Sequence, residues 1–285
     1  MIVEAKPNAV RKLVQQQRSR GAVVGVVPTM GALHAGHVSL VEAARASCDF
    51  VVATIFVNPT QFGPNEDFGR YPRTLEDDLS RCKNADADLV FTPDTSDMYL
   101  ADAETTVRVN KLTTKLEGAM RPGHFDGVTT IVAKLFNVTV PDRAYFGQKD
   151  YQQQLVIKRM VRDLDWGIEV VTCPIIREPD GLAMSSRNRY LSPDDRQRAL
   201  ALQRALRFAA DRAENSGDSA AEIQAQMRQM ISSTDGVELD YAVIVDSETL
   251  ENVDDRPATA TALVAAKLGK TRLIDNQILR FRPAA

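Results

Sequence analysis

Two apolar runs stand close together near the start of the chain. Residues 22–27 read Ala-Val-Val-Gly-Val-Val and precede Pro28; residues 50–57 read Phe-Val-Val-Ala-Thr-Ile-Phe-Val and precede Asn58 and Pro59. Continuous β-branched runs of this length fit strands covered on both faces of a parallel sheet. Between them Val38, Leu40, Val41, Ala44 and Cys48 fall on one apolar stripe, which predicts a helix over residues 38–47. Strand, helix, strand is the crossover unit that parallel pairing requires.

The pattern repeats downstream. A helix is expected over 74–85, with Thr74 as its N-cap and Asp77 at the third position in a weak relative of the capping box. Strands are expected at 89–91, 143–146 (ending at Gly147) and 168–173, with helices over 127–140 and 151–164. This alternation predicts an α/β domain built on a doubly wound, Rossmann-like parallel sheet. The character changes after Arg187. Ser192 followed by Pro193, Asp194 and Asp195 is a helix start with hydroxyl cap, proline at the first position and acids in the first turn. That helix is expected to reach Asn215, and a second to cover 220–232. Strand-like segments follow at 239–245, 261–267 and 271–274. The expected organisation is a first domain over 1–187 and a smaller α+β domain over 188–285 that closes over the active site.

Length and charge narrow the classes. A chain of 285 residues has room for two domains. Lys plus Arg is 35 against 38 Asp plus Glu, a net charge of −3, so nothing pulls the chain as a whole toward nucleic acid or a membrane surface. Cys48, Cys82 and Cys173 form no close pair and read as reduced, buried thiols. Residues 1–13 lack the apolar core of a signal peptide, and the longest strongly apolar stretch, 51–57, is far short of a membrane span. These features point to a cytoplasmic protein.

Three segments carry candidate chemistry. The first is Met30, Gly31, Ala32, Leu33, His34, Ala35, Gly36 and His37, where the first strand ends and the first helix begins. Ligands of open α/β sheets bind at that edge. A helix N-terminus offers N–H groups and partial positive charge to a phosphate, and an imidazolium can neutralise charge building on a departing pyrophosphate. The plain alternative is one capping and one packing histidine. Two of the chain's three histidines flanking one glycine at this junction favour the phosphate site. A zinc pair lacks any Cys or third His at ligand spacing nearby. The second segment is Gly147, Gln148, Lys149 and Asp150, in which Lys149 offers a point charge to phosphate oxygens and Asp150 a cap for the next helix. The third is Met184, Ser185, Ser186 and Arg187, whose hydroxyls and guanidinium suit phosphate oxygens on a mobile loop. In isolation each of the last two also reads as solvated loop or linker.

Taken together, an early His-x-Gly-His and a later Met-Ser-Ser-Arg resemble the nucleotidyltransferase superfamily, which includes class I aminoacyl-tRNA synthetases. The resemblance narrows through Asn58-Pro-Thr-Gln61-Phe62, Tyr71-Pro-Arg-Thr74, Leu116-Glu-Gly118, Arg121-Pro-Gly-His124-Phe125, Gly127-Val128, Lys134-Leu-Phe-Asn137, Tyr145-Phe-Gly-Gln-Lys-Asp150 and Arg272-Leu-Ile-Asp-Asn276. That series is similar to the pantoate–β-alanine ligase family over almost the whole chain.

The resemblance implies ATP as co-substrate with Mg²⁺, pantoate and β-alanine as small-molecule substrates, a pantoyl-adenylate intermediate, and a homodimer. It implies that residues 30–37 hold ATP, with His37 as proton donor and His34 beside it on the phosphates. Residues 147–150 would line the nucleotide site with Lys149 on the phosphates, Ile176 would pack near the adenine, and residues 184–187 would close over the triphosphate. Gln61 and Gln153 would grip pantoate, with Asn58 beside that pocket. Arg121 and His124 receive no firm role. The commonest family form at 147–150 is Gly-Glu-Lys-Asp, so Gln148 removes one charge beside Lys149. Thr60 stands where Met or Leu is frequent. Two rivals share the site logic: a transferase that leaves the nucleotide on its product, and a non-catalytic nucleotide-binding regulator.

Overall fold

The computed structural model describes residues 1–64, 66–253 and 255–282. In chain order the elements are β1 (Ile2–Glu4), α1 (Pro7–Arg18), β2 (Val24–Thr29), α2 (Ala35–Arg45), β3 (Phe50–Ile55), α3 (Leu75–Asn84), β4 (Leu89–Phe91), the single turns α4 (Thr95–Met98) and α5 (Glu117–Met120), α6 (His124–Thr139), β5 (Arg143–Gly147), α7 (Tyr151–Asp163), β6 (Glu169–Cys173), α8 (Pro193–Asn215), α9 (Ala220–Ser232), β7 (Val237–Val245), β8 (Thr259–Leu268) and β9 (Thr271–Arg280). They form two compact units, residues 1–174 and 175–285.

In the first unit six strands make one parallel sheet in the order β1-β4-β3-β2-β5-β6. Apart from the edge strand β1, this is the doubly wound order, with its reversal between β2 and β5. The continuous apolar runs explain the centre: Val24, Val26, Val27, Val51, Val52 and Ala53 have no exposed surface. Helices α2 and α3 pack together, as do α1 with α6 and α6 with α7. Cys48, Cys82 and Cys173 lie in the core around α2 and pair with nothing.

Three expectations need correction. The first seventeen or so positions, read only as lacking a signal, carry β1 on the sheet edge and α1. Helix α6 begins at His124 rather than Gly127. Thr74 stands at the N-cap position of α3 but its hydroxyl donates to Asp78 instead of capping, so no capping box with Asp77 forms.

The second unit is a three-stranded antiparallel sheet, β7-β8-β9, carrying α8 and α9. Helix α8 starts as its sequence requires: Ser192 accepts the Asp195 N–H and Pro193 fills the first position. Its small stripe of Ala199, Ala205, Ala209 and Ala213 packs with Ile223, Met227 and Ile231 of α9 and with Ala262, Val264 and Ala266 of β8. Arg196 of α8 pairs with Glu178 and Asp180 at 2.6 and 2.7 Å. Such pairs tie residues 175–187 to the second unit, so the boundary falls at Pro174 and not after Arg187.

Gly127 shows why α6 runs through a glycine. A Cβ there would lie 2.3 Å from the Thr60 carbonyl oxygen and 2.7 Å from the Gln61 nitrogen. The helix therefore lies directly on the 58–61 turn, and only a bare Cα fits. Gly127→Ala should cost about 1–3 kcal/mol in urea unfolding; an unchanged midpoint would mean that helix and turn separate freely.

Candidate active site

The sheet opens where its order reverses. Strand β2 pairs with β5 only at Gly25–Arg143 and Val26–Ala144, whereas β2 stays in register with β3 to Thr29–Ile55 and β5 with β6 to Gly147–Cys173. The N–H and C=O of Val24 both engage Asp142, just before β5. Backbone direction alternates along a strand, so Pro28 turns its nitrogen to the same side. It has no N–H to donate. The ladder has ended before a donor would be needed, and the two strand ends part to form a mouth.

The 30–37 segment caps one lip of that mouth. Thr29 bonds across to Thr54 and accepts the Gly31 N–H at 3.2 Å. The Ala32 and Leu33 N–H groups donate to the buried carboxylate of Asp78 at 2.9 and 2.7 Å. His34 is the N-cap of α2: its Nδ1 accepts the Gly36 N–H at 3.1 Å, while the His34 N–H donates to Nδ1 of His37 at 3.4 Å. This is a capping box made of two histidines, with ring centroids 4.1 Å apart.

The box fixes the chemistry. Each Nδ1 acts as acceptor, so each neutral ring carries its proton on Nε2. The N–H groups of Gly36, His37 and Val38 are committed to His34. Those three N–H groups are therefore not unengaged donors for a phosphate, and each neutral ring keeps its Nε2–H as a side-chain donor. His37 is pushed down to about 3, by burial first and then by the neighbouring His34 and Lys149. At neutral pH it is an imidazole, and the imidazolium expected from sequence is absent in the unliganded protein. Lys149, from the turn after β5, is close enough for its charge to contribute to this depression. Asp150 occupies the N-cap position of α7 without a side-chain cap bond, against expectation.

Beside the mouth lies the 58–61 turn. The buried Gln61 directs its amide nitrogen to the Met30 sulfur at 2.7 Å and accepts from Asn58 at 3.2 Å. Asn58, 1% exposed, also donates to the Gly127 carbonyl and accepts from Tyr99 and Thr60 at 2.8 and 3.0 Å. The Thr60 hydroxyl thus closes a triangle with Asn58 and Tyr99. Arg121 and His124 acquire a role that sequence did not supply: both bond the Gln61 carbonyl, at 3.3 and 2.8 Å. A carbonyl only accepts, so His124 carries its proton on Nδ1 and takes the Arg121 N–H at Nε2, 3.1 Å away. Burial would raise Glu66, but two 2.6 Å bonds from Arg121 outweigh it and hold the carboxyl below its usual value. Of three successive glutamines, Gln152 clamps the 112–117 loop and Gln154 accepts from Thr172. Gln153 between them is partly exposed on the first turn of α7.

Ile176 and residues 184–187 belong to the second unit. The Met184 N–H bonds the Ile176 carbonyl, Arg177 bridges Ala183, and Ser185 caps a short 3-10 turn by accepting from Arg187 N–H at 3.3 Å. Arg177 holds buried Asp275 with two bonds, at 2.6 and 3.0 Å. The segment is strapped within its own unit rather than a loose linker. Thus His34, His37, Lys149, Gln61 and Asn58 are gathered in one unit, and Ile176, Met184, Ser185, Ser186 and Arg187 in the other. Among the described residues, no three His, Cys, Asp or Glu side chains are grouped to hold a metal ion, and no helix is long and apolar enough to cross a membrane.

A parallel sheet that opens at its reversal, with paired histidines on the lip, defines an α/β enzyme of the His-x-Gly-His type. The chain belongs to the pantoate–β-alanine ligase family: the model of that family matches residues 2–278. Pantothenate synthetase of Acidobacterium capsulatum is 55% identical over 92% of this chain and 88% of its own. The structure of the Thermus thermophilus pantothenate synthetase superposes with a TM-score of 0.93 at 47% identity, covering 97% and 99% of the two chains. Pantoate–β-alanine ligase of Francisella tularensis, solved with β-γ ATP and β-alanine, gives 0.80 at 33% identity over 98% and 97%.

The neutral His124 makes a pH prediction. Its pKa is depressed to about 4, by burial first and then by Arg121. Between that value and the ordinary 6.5 the unfolded chain binds a proton that the native imidazole refuses, so stability falls as pH drops through this window. His124→Asn keeps an N–H for the Gln61 carbonyl but cannot titrate. Urea melts from pH 7 to 4 should show a flatter loss in the variant, by on the order of 2 kcal/mol; parallel profiles would refute the assignment.

Proposed function

We propose that this chain condenses pantoate with β-alanine in two steps, using ATP to form pantoyl-adenylate and releasing AMP and pyrophosphate. The observation that carries this reading is the stacked His34–His37 pair with Lys149 at the open end of β2 and β5, next to Gln61. Membership of the ligase family supports the overall reaction, and the Francisella enzyme's bound ATP analogue and β-alanine support two of the three substrates.

A carboxylate is a poor acyl donor because its leaving group would be oxide. Attack of the pantoate carboxylate on the α-phosphorus of ATP makes that oxygen part of AMP and expels pyrophosphate. Gln61, held by Asn58 and by the clamp on its carbonyl, orients pantoate with Gln153. Nε2–H groups of His34 and His37 donate to the phosphates, and Lys149 supplies the positive charge. A neutral His37 beside Lys149 avoids stacking like charges before the nucleotide binds. Arriving triphosphate reverses the local sign, so the Nε2–H of neutral His37 and the Lys149 ammonium act as hydrogen-bond and charge partners for the phosphate oxygens as pyrophosphate departs. The amine of β-alanine then attacks the pantoyl carbonyl and displaces AMP.

Without a grouped set of protein ligands among the described residues, Mg²⁺ fits as an ion carried by the triphosphate, where it neutralises phosphate charge. The hydroxyls of Ser185 and Ser186 and the Arg187 guanidinium suit phosphate oxygens, and Ile176 suits the adenine. A homodimer in the cytoplasm is the working assembly.

Product analysis with ATP, pantoate and β-alanine, omitting each in turn, tests the reading: AMP, pyrophosphate and pantothenate are expected together. A product that retains the nucleotide, or ATP turnover indifferent to pantoate, would overturn it. Lys149→Ala should slow pyrophosphate release about 10²-fold; a near-normal rate would remove Lys149 from the site. Gln61→Ala should raise the KM for pantoate well above any change for ATP, and an unchanged pantoate KM would defeat that role.

A further inference from the structure

Asp78 is a carboxylate with 1% exposure, four residues into α3, and nothing in the proposed chemistry uses it. A charge so placed needs strong partners. It has three: Ala32 N–H on Oδ2 at 2.9 Å, Leu33 N–H on Oδ1 at 2.7 Å, and the Thr74 hydroxyl on Oδ1 at 3.3 Å. It does not cap its own helix. Both backbone donors belong to the segment between β2 and the His34 cap.

That segment is strained. Gly31 and Ala32 are successive residues at positive φ, +84° and +50°. Glycine adopts this region freely, but alanine does so at a cost. The turn also fits tightly, because a Cβ on Gly31 would lie 3.0 Å from Asp78 Oδ2 and 3.1 Å from Ile55. Charged acceptors bind backbone N–H groups about twice as strongly as neutral ones. The carboxylate thus holds Ala32 in a conformation it would otherwise leave, and His34 follows directly after Leu33. Thr29 fixes the start of the segment and Asp78 its middle.

We propose that Asp78 is a positioning residue for the adenylation step: by gripping the Ala32 and Leu33 N–H groups it sets where the His34 and His37 Nε2–H donors meet the triphosphate. This rests on the ATP-dependent reading of the same site. Asp78 touches no reactant and acts only through the turn.

The test is steady-state kinetics of Asp78→Asn, with the KM for ATP and for pantoate measured separately and well below the variant's melting temperature. Asparagine keeps the size but aims an N–H at a backbone N–H. Expected is a fall of about 10- to 100-fold in kcat/KM for ATP, since a displacement near 1 Å is enough, with the KM for pantoate within about threefold of wild type. Adding Ala32→Gly, which removes the φ penalty, should restore part of the ATP term. Gly31→Ala perturbs the same contact from the turn side and should reproduce the signature; it serves as the test if Asp78→Asn does not fold. An unchanged kcat/KM for ATP in either single variant, a pantoate KM raised more than about tenfold, or no recovery in the double variant would overturn the proposal. Failure of the wild type to couple ATP to pantoate would instead strike the functional reading beneath it.

Discussion

Everything at the site hangs on the two hydrogen bonds that commit the Nδ1 atoms of His34 and His37 to backbone N–H groups. They close the first turn of α2 and they choose the tautomer of both rings. A helix start and a pair of proton-bearing Nε2 atoms are therefore one feature. Any change that opens the box loses the cap and the donors together. Burial first, and then His34 and Lys149, hold the His37 ring neutral.

The sheet prepares the place for this pair. A proline inside a central strand is normally excluded because the ladder needs its N–H. Here Pro28 sits where β2 and β5 have already parted, so the residue that would break a closed sheet is tolerated at an open one. Around that opening, buried polar side chains hold backbone rather than solvent: Asn58 and Gln152 across loops, Arg121 and His124 on one carbonyl. A turn fixed at its main chain presents Gln61 in one orientation, which substrate orientation requires.

Much of this was legible in the chain. The β-branched runs named the central strands because only double burial tolerates such sequences, and Ser192-Pro193 marked the start of α8 to the residue. The two halves of the first-unit site were found because each follows a strand that ends in glycine or proline. What sequence missed has a common physical cause. Asp78 reads as one more acid in a helix's first turn, and only a contact 46 positions away shows it holding Ala32. Arg121 and His124 had no firm role in sequence until folding set both on the Gln61 carbonyl, with Glu66 paired to Arg121. Strand β1 is three residues on an edge, too short for a period, and α1 buries only Val10 and Val14. Sequence offered one capping and one packing histidine as the plain alternative, and in the structure both rings take part in the cap, because the second is set by a backbone contact that spacing does not show.

The most direct test is nitrogen NMR of the histidine side chains in the unliganded protein, titrated from pH 8 to 4. His34 and His37 should both appear at pH 7 as neutral rings protonated on Nε2, with His37 remaining neutral to the acid end. A His37 that titrates near its ordinary value of 6.5, or one that carries its proton on Nδ1, would contradict the account.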